Sequence, residues 1–386
     1  MRLLVDAIIY QLQGAGGVSR LFTEILPRLC DLEPALQIDL LVDPNAVKQP
    51  ASQALPEHRQ IRRVDLPVVD RWLRPALLWR PLAPKAKRGL RNLRIGRGRD
   101  TIWHSTYYTV PDAWAGHQVV TVYDMIHERY PDLFNRPQDE EVRASKRRSV
   151  MAADFVICIS ETTRADVLGQ YDLDPTRVGR VYCSHGDAFR RREGAPPSGW
   201  LPTTRPYLLY AGRRMRYKGF ADLLLAYGAW QRRAQIDLVV VGKPWSTADQ
   251  QALDDLGVRD QVHLLTGISD DHLCWLYNRA AAFVYPSWYE GFGIPLLEAM
   301  ASGCPVIASD IPSTREVADV CPFYFEPGNV ESMQAAFDAA LTEGTLTEGR
   351  EPKRLDKGLA RVERFSWQES AMQTLAIYRQ VAGLQS

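Results

Sequence analysis

The sequence predicts an α/β protein built from two Rossmann-like domains. Short apolar runs alternate with helix-like segments along most of the chain, which is typical of parallel sheets covered by helices on both faces. This alternation starts at the N-terminus and restarts near residue 207, and a length of 386 residues accommodates two or three domains.

The first half opens with a strand, a glycine loop and an amphipathic helix. We predict the strand at residues 2–9 and the helix at 18–29, where leucines and isoleucine recur at helical spacing. Further strands are predicted at residues 39–42, 119–122 and 155–159. A helix that begins at Ser160 follows the last of them.

The second half repeats the architecture without repeating the sequence. Strands are predicted at residues 207–211, 236–241, 261–265, 281–285 and 305–308, and helices at 219–230, 270–279 and 295–302. A segment rich in Pro, Gly and charge, residues 191–205, separates the halves. We therefore predict domains at 1–195 and 196–366, then a C-terminal segment at 367–386 whose helix, over residues 367–381, could pack on either domain.

Composition is that of an ordinary globular protein, with 46% hydrophobic residues, 24% charged residues and a net charge of +1. Total charge thus gives no argument for nucleic acid. The six cysteines form no Cys-x-x-Cys pair, which favours small buried side chains in a reducing compartment. No uncharged apolar run approaches the ~18 residues of a membrane span, so we expect a cytoplasmic protein.

The most informative motif is Glu290-Gly-Phe-Gly-Ile-Pro-Leu-Leu-Glu298. Its glycines leave backbone N–H groups accessible, and Pro295 suits the first turn of a helix. A helix N-terminus approached by glycine is a ready site for a diphosphate, and a flanking carboxylate suits sugar or ribose hydroxyls. The alternative is a strand–turn–helix junction with two incidental acids.

This run resembles the donor-site signature of retaining glycosyltransferase family 4, of GT-B fold. Glu290 and Glu298 match the acid pair of that family, and Glu316 its downstream Glu-Val, although the alanine-rich continuation is altered here. The resemblance is closest to bacterial surface-polysaccharide mannosyltransferases. It implies two Rossmann-like domains with parallel sheets facing across a cleft, and a nucleotide-sugar donor held mainly by the second domain.

The resemblance also implies roles for individual donor-side residues. Glu298 would hold the ribose, and Glu290 would hold sugar hydroxyls. The remaining donor-binding positions that it implies around these acids are Ile268, Phe292, Gly293 and Ile294.

A basic loop follows the first strand of the second half. Arg213 and Lys218 match the family's Gly-Arg…Lys loop, whose cations neutralise the donor diphosphate. Two cations at a strand end suit a leaving group that gains charge. Alone, such a loop is more often a solvated turn; beside the acid pair we interpret it as part of the catalytic site.

Gly16 and Gly17 belong to a glycine loop that resembles the one by which the family faces the donor. A dinucleotide fingerprint is excluded, because Ser19 stands where glycine or alanine is needed. No Walker A motif is present.

Asp124 and His127 follow a predicted strand, at the edge where open α/β sheets bind ligands. The family has an Asp here, often preceded by His, whereas Tyr123 precedes it in this chain. The catalytic polar group therefore stays open between Asp124 and His127, and a solvated loop is an equal interpretation for His127. Tyr107 and Tyr108 lie in the half that binds acceptor in this fold.

Metal binding is not expected. Asp172 and Asp174 form an Asp-x-Asp, but they precede Pro175 and resemble a helix cap. The resemblance implies independence of metal, so no cofactor is expected beyond the nucleotide-sugar substrate.

An acid-free basic segment, residues 71–99, is interleaved with tryptophans and leucines. An anionic membrane surface and a solvated helix and loop are equally good interpretations, and nucleic acid is a weaker third. Peripheral attachment to the inner face of the membrane thus stays open. The cations are Arg71, Arg74, Arg80, Lys85, Lys87, Arg88, Arg91, Arg94, Arg97 and Arg99.

The function that the resemblance implies is retaining transfer of a hexosyl unit from a nucleotide-diphosphate sugar to a glycan or lipid-linked glycan. The donor that we predict is GDP-mannose or a related GDP-sugar, used in bacterial surface polysaccharide synthesis. Two alternatives remain: a nucleotide-sugar epimerase of GT-B fold, which would turn over donor without acceptor, and an inactive nucleotide-sugar-binding scaffold.

Overall fold

The computed structural model describes residues 1–13, 16–42, 55–66, 98, 100–112, 114–343 and 352–384. The chain forms two compact units. The first contains residues 1–183 together with 367–386, and the second contains residues 184–366. The division falls upstream of the predicted boundary at 195/196.

The first unit contains a parallel sheet whose described strands have the order β3-β2-β1-β4-β5-β6-β7. Leu3, on the third strand of this order, lies opposite Ile38 on one side and Ile102 on the other, and all three are buried. The strands are β1 (Arg2–Asp6), β2 (Gln37–Val42), β3 (Ile61–Asp65), β4 (Thr101–Ser105), β5 (His117–Val122), β6 (Phe155–Cys158) and β7 (Val178–Arg180).

Helices of the first unit follow the strands. The prediction of one strand over residues 2–9 is wrong at its end, because β1 stops at Asp6 and a short helix begins at Ile9. The Ile9 N–H donates to Thr106 Oγ1 at 3.1 Å. The helices are α1 (Ile9–Leu12), α2 (Gly17–Leu32), α3 (Ile126–Arg129), α4 (Pro137–Ala152), α5 (Glu161–Gln170) and, from the end of the chain, α13 (Trp367–Val381).

The second unit contains a parallel sheet of order β10-β9-β8-β11-β12-β13. Its strands are β8 (Tyr207–Ala211), β9 (Asp237–Val241), β10 (Val262–Leu265), β11 (Ala282–Tyr285), β12 (Val306–Ser309) and β13 (Phe323–Phe325). Its helices are α6 (Phe220–Ala229), α7 (Thr247–Asp255), α8 (Asp270–Arg279), α9 (Ile294–Ala301), α10 (Pro312–Ala318), α11 (Val330–Glu343) and α12 (Pro352–Val362).

Local sequence explains most of these elements. Leu208, Leu238 and Val284 lie on three neighbouring strands. They form one apolar core with Leu223 of α6, and all four are fully buried. The Ser160 hydroxyl accepts a hydrogen bond from the N–H of Thr163 at 2.8 Å, which satisfies one of the free donors at the start of α5.

Two hydrogen bonds explain why the second unit begins upstream of the predicted boundary. Ser184 donates to the Phe365 carbonyl at 2.8 Å, and the Arg192 N–H donates to Asn278 Oδ1 at 2.8 Å. The segment after residue 183 is therefore bonded to the second unit, which places the division before the Pro- and Gly-rich segment on which we had based it.

The C-terminal helix α13 packs on the first unit, one of the two options left open by the sequence. His104 of β4 is fully buried, and its ring nitrogens lie 2.5 Å from the Tyr378 hydroxyl and 2.9 Å from Thr121 Oγ1. Burial lowers the pKa of His104 to about 3. The helix is thus joined to β4 through a neutral imidazole.

All six cysteines are free and buried. In the parts of the chain that the structure describes, no helix combines the length and apolar character needed to cross a bilayer.

Candidate functional site

The centre of the second sheet is a topological switch point. The chain leaves β8 toward β9 on one side, whereas β11 pairs with β8 on the other. Loops that follow these two neighbouring parallel strands leave from the same edge, and ligands of open α/β sheets bind at such edges. Lys218 lies in the loop after β8, and Glu290 lies in the loop after β11.

The structure brings Lys218 and Glu290 together. Lys218 Nζ lies 2.6 Å from Oε1 and 2.8 Å from Oε2 of Glu290, with side-chain exposures of 22% and 11%. Gly219 makes this approach possible: it has φ 66°, and a Cβ there would lie 1.9 Å from the Pro286 carbonyl oxygen. The pair is therefore mostly buried but keeps some exposure to solvent.

Two further side chains hold the Glu290 carboxylate, and the sequence analysis did not identify them. The Ser287 hydroxyl donates to Oε1 at 2.6 Å. Tyr285, the last residue of β11, is buried and hydrogen-bonded to the carboxylate. Burial, together with the charge of Glu290, raises the pKa of Tyr285 well above its usual value. The position of Tyr285 at the strand end was the available signal.

The two adjacent arginines of the β8 loop have different environments. Arg214 is bound within the unit: its guanidinium donates to the Lys243 and Pro244 carbonyls and pairs with Asp249 at 3.2 Å. Arg213 is exposed, and we find no partner for its guanidinium in the described residues. Of these two arginines, Arg213 is therefore the one whose guanidinium is available to a ligand.

Helix α9 carries the second acid of the motif. Gly293 precedes it with φ 119°, a conformation that favours glycine, and Pro295 occupies its first turn. Glu298 is buried, and one carboxylate oxygen lies 3.4 Å from the Tyr277 hydroxyl. Phe292 is also buried and packs edge-on against Phe365, so it can reach a ligand only through its backbone.

Ile268 and Ile294, the other predicted donor-side positions, are half-buried. Ile268 follows β10, and Ile294 is the first residue of α9. Both lie after strands of this sheet, on the side of its carboxyl ends.

The first sheet has its own switch point, between β1 and β4. Asp6 ends β1, and its carboxylate accepts from the Thr106 N–H at 2.8 Å, from the Thr106 hydroxyl at 2.6 Å and from the hydroxyls of Ser105 and Thr109. Gly17 begins α2 and Gly16 caps it with extended backbone. Asp6 was not singled out from the sequence, because one acid at a strand end carries no pattern.

Tyr107 and Tyr108 form a cluster with Tyr123 after β4 and β5. The Tyr107 and Tyr108 rings are 4.9 Å apart, and Tyr123 donates to the Thr106 carbonyl at 2.7 Å. Tyr108 is buried with φ 55°, a conformation uncommon for a large side chain. Burial raises the pKa of both Tyr108 and Tyr123 well above the usual value.

Asp124 follows β5 and lies beside a buried lysine that the sequence analysis missed. Lys146 of α4 is 1% exposed; its Nζ donates to the Asp124 main-chain carbonyl at 2.9 Å and to Glu128 Oε2 at 2.8 Å. The Asp124 side chain is 38% exposed, with Oδ1 4.0 Å from Nζ. A carboxylate at this edge is thus open to a ligand, whereas its backbone is bonded inward.

His127 is half-buried in α3, 4.4 Å ring to ring from Phe134. Its Nδ1 is buried and makes no hydrogen bond to the part of the protein that the structure describes. Burial, followed by the charge of Lys146, lowers the pKa of His127. The interpretation as a solvated loop histidine is therefore not supported, because the ring packs against the unit.

Asp174 caps a turn by accepting from the Thr176 N–H at 2.9 Å, as its resemblance to a cap implied. Within the described residues, no group of His, Cys, Asp and Glu is arranged to hold a metal ion. The cations from Arg71 to Arg99 lie outside the described residues.

Comparison with protein families matches the model of glycosyl transferases group 1 to residues 193–357, which contain Lys218, Glu290 and Glu298. The chain is similar to O-antigen chain mannosyltransferase B of Escherichia coli, at 26% identity over 73% of this chain and 74% of that protein. It is also similar to the O-antigen chain mannosyltransferase RfbU of Salmonella typhimurium, at 31% identity over 60% of this chain and 62% of that one. A third relative is alpha-maltose-1-phosphate synthase of Mycolicibacterium smegmatis, at 30% identity over 73% of this chain and 79% of the relative.

Solved structures agree on the fold. Sucrose-phosphate synthase from Thermosynechococcus elongatus aligns with a TM-score of 0.76 at 21% identity over 99% of both chains. WaaG, a glycosyltransferase involved in lipopolysaccharide biosynthesis, aligns with a TM-score of 0.70 at 18% identity over 98% of this chain and 99% of that one. These likenesses confirm the predicted GT-B fold. Together with the matched family model and the 30% identity to a relative of which most is covered, they lead to one conclusion: the chain belongs to the family of group 1 glycosyl transferases.

Proposed function

We propose that this glycosyltransferase moves a mannosyl unit, with retention of configuration, from a nucleotide-diphosphate sugar to a glycan or lipid-linked glycan of a bacterial surface polysaccharide. The observation that carries the proposal is the Lys218–Glu290 pair at the switch point of the second sheet. A cation for a diphosphate and a carboxylate for sugar hydroxyls stand together there, beside the N-terminus of α9.

The donor side of the reaction is assigned to the second unit. Arg213 and Lys218 would neutralise the charge that builds up on the departing nucleoside diphosphate. Glu290 would accept hydrogen bonds from sugar hydroxyls, and Glu298 from the ribose. Backbone N–H groups at the start of α9, around Gly293, would bind phosphate oxygens.

The acceptor side is assigned to the first unit. In a retaining transfer on one face, the acceptor oxygen bonds to the anomeric carbon as the bond from that carbon to the phosphate oxygen breaks. The acceptor proton passes to the leaving phosphate. Asp124 and His127 would orient the acceptor hydroxyl or the sugar, and Tyr107 would offer an aromatic face to the acceptor.

Mannose is supported by the names of two relatives, both of them O-antigen chain mannosyltransferases. GDP-mannose is the donor that we propose to test first. The same names support a polysaccharide acceptor. The third relative, alpha-maltose-1-phosphate synthase, favours a second candidate: a small sugar phosphate as acceptor, which needs no lipid carrier.

A thermal-shift screen of GDP, UDP, ADP and TDP, each with its sugars, tests the proposal. We expect GDP and GDP-mannose to raise the melting temperature most, because binding to the folded state alone stabilises it. The decisive second step is transfer from GDP-mannose to membrane-extracted glycolipids or to hexose 1-phosphates, with the anomeric configuration of the product read by NMR. If none of the nucleotides stabilises the protein, or if the product is inverted, the proposal is wrong.

Arg213 offers a clean variant for this screen. Since its guanidinium is exposed and unbonded in the described residues, Arg213→Met should leave the unliganded melting temperature unchanged and reduce the nucleotide-induced rise. Arg216 is the matched control: it is exposed on the same loop and lies 5.8 Å from the Trp288 ring. Arg216→Met should keep the full rise.

A further inference from the structure

The buried ammonium group of Lys146 lies under the loop that carries Asp124. Within the first unit, α4 delivers this side chain to the carboxyl end of β5, where it is 1% exposed. A fully buried lysine is rare and costs free energy unless each of its donors finds a partner. Its position next to a candidate site residue therefore needs an explanation.

The partners of Lys146 divide into two kinds. One is the carboxylate of Glu128, 2.8 Å away, which balances the charge and is itself only 5% exposed. The others belong to Asp124: the main-chain carbonyl at 2.9 Å, and Oδ1 at 4.0 Å. The ring of Tyr108 completes the environment, with its centroid 5.5 Å from Nζ.

The bond to the carbonyl has a mechanical consequence. Asp124 lies between the end of β5 and the start of α3, where no strand pairing holds the backbone. Its own Oδ1 accepts the Ile126 N–H at 3.1 Å, which ties the side chain to the turn. Lys146 holds the same residue through its main-chain carbonyl, so the direction of the Asp124 carboxylate depends on both hydrogen bonds.

We propose that Lys146 is a positioning residue for glycosyl transfer, which fixes Asp124 at the carboxyl edge of the first sheet through its main-chain carbonyl; this rests on the proposed function. A lysine needed only to neutralise Glu128 would be dispensable once Glu128 is neutral. A positioning lysine would still be needed, because the Asp124 carbonyl would lose its donor.

The test compares two backgrounds. Glu128→Gln removes the buried carboxylate charge, leaves the Lys146 ammonium group and keeps its bond to Asp124, so the variant should be less stable but, once folded, should have a kcat within threefold of wild type. The double variant Glu128→Gln with Lys146→Met has neither buried charge, which lets the unit fold. We expect its KM for the donor to stay within threefold of wild type and its kcat to fall at least tenfold relative to Glu128→Gln.

A kcat of the double variant equal to that of Glu128→Gln overturns the proposal, and so does a rise in donor KM without loss of kcat. Arg148→Met, which removes an exposed cation of the same helix paired with Glu141, is the control and should match wild type. If the double variant does not fold by circular dichroism, Lys146→Gln in the Glu128→Gln background replaces it. That amide is one bond shorter, so kcat should again fall, and an unchanged kcat again overturns the proposal.

Failure of the proposed function gives a different result. If wild type transfers no sugar, the proposed function itself is wrong. If wild type is active and only the kcat comparison fails, the proposed function stands and Lys146 serves stability alone.

Discussion

Replacing Lys218 should weaken nucleotide binding, whereas replacing Glu290 should impair sugar binding and leave nucleotide binding intact. In the unliganded protein the two groups share hydrogen bonds of 2.6 and 2.8 Å. A diphosphate would compete with Glu290 for the same ammonium group. Glu290→Gln weakens that competition, and Lys218→Met removes the cation itself.

The exposure of the two side chains sets the magnitudes. Removing one partner of a fully buried pair costs about 3–5 kcal/mol; with 22% and 11% of the side chains exposed, we expect about 2 kcal/mol for Lys218→Met. A charge-assisted hydrogen bond is worth about 1.5–3 kcal/mol, so this variant should bind nucleoside diphosphate about 10- to 100-fold more weakly. Glu290→Gln should bind it as well as wild type or up to about 10-fold more tightly, since a tenfold change needs only about 1.4 kcal/mol.

Isothermal titration with the nucleoside diphosphate identified in the screen measures these affinities, and urea unfolding without ligand measures the cost of each change. Transfer activity should be lost in both variants, because the sugar hydroxyls lose a charged carboxylate acceptor in one and the leaving group loses a cation in the other. The reasoning is refuted if Glu290→Gln weakens nucleotide binding as much as Lys218→Met does. Lys218 would then not be shared between the carboxylate and the diphosphate.

Two further predictions concern the framework around the sites. His104→Gln should flatten the pH dependence of stability: the folded pKa of His104 is about 3 against about 6.5 unfolded, so wild type should lose about 2 kcal/mol from this group as pH falls from 7.5 to 5. Urea titrations at both pH values measure this, and equal slopes in wild type and variant would contradict it. Gly219→Ala should cost at least about 3 kcal/mol, because its Cβ would meet a backbone oxygen at 1.9 Å, and should weaken nucleotide binding. Gly328→Ala is the control, with φ 76° but open space, and should cost about 1 kcal/mol in the same urea titration.

Much of the fold could be predicted from local pattern. The strand at Tyr207–Ala211 and the helices at Asp270–Arg279 and Trp367–Val381 match the predicted bounds, because apolar periodicity and capping residues lie within each segment. The start of the chain was misjudged for the converse reason. The apolar run 2–9 continues past Asp6, but the strand ends there: the Thr106 N–H donates to the Asp6 carboxylate, and the Ile9 N–H donates to the Thr106 hydroxyl.

Buried polar residues were likewise predictable only where they lie in one sequence motif. Glu290 and Glu298 were recognisable because both lie in one short motif. Lys146 and His104 were not, since their partners are Asp124 on another element and Tyr378 near the end of the chain. Burial of a lysine or histidine is a property of packing, and no spacing in a single sequence signals it.

The acids at the two switch points have different hydrogen-bond partners. This difference indicates which sheet binds the diphosphate of the donor. Asp6, in the first unit, is surrounded by neutral hydroxyl and amide donors, which stay where the backbone places them. Glu290, in the second, is bound by the flexible ammonium group of Lys218, and both side chains are partly exposed. An anionic ligand can draw a lysine away from a carboxylate, but neutral donors fixed by a strand and its turn offer it no charge. The diphosphate should therefore bind at the second sheet, and Asp6→Asn should change the stability of the first unit without changing nucleotide affinity. Urea unfolding and calorimetric titration of that variant measure both quantities, and a loss of nucleotide affinity would contradict the assignment.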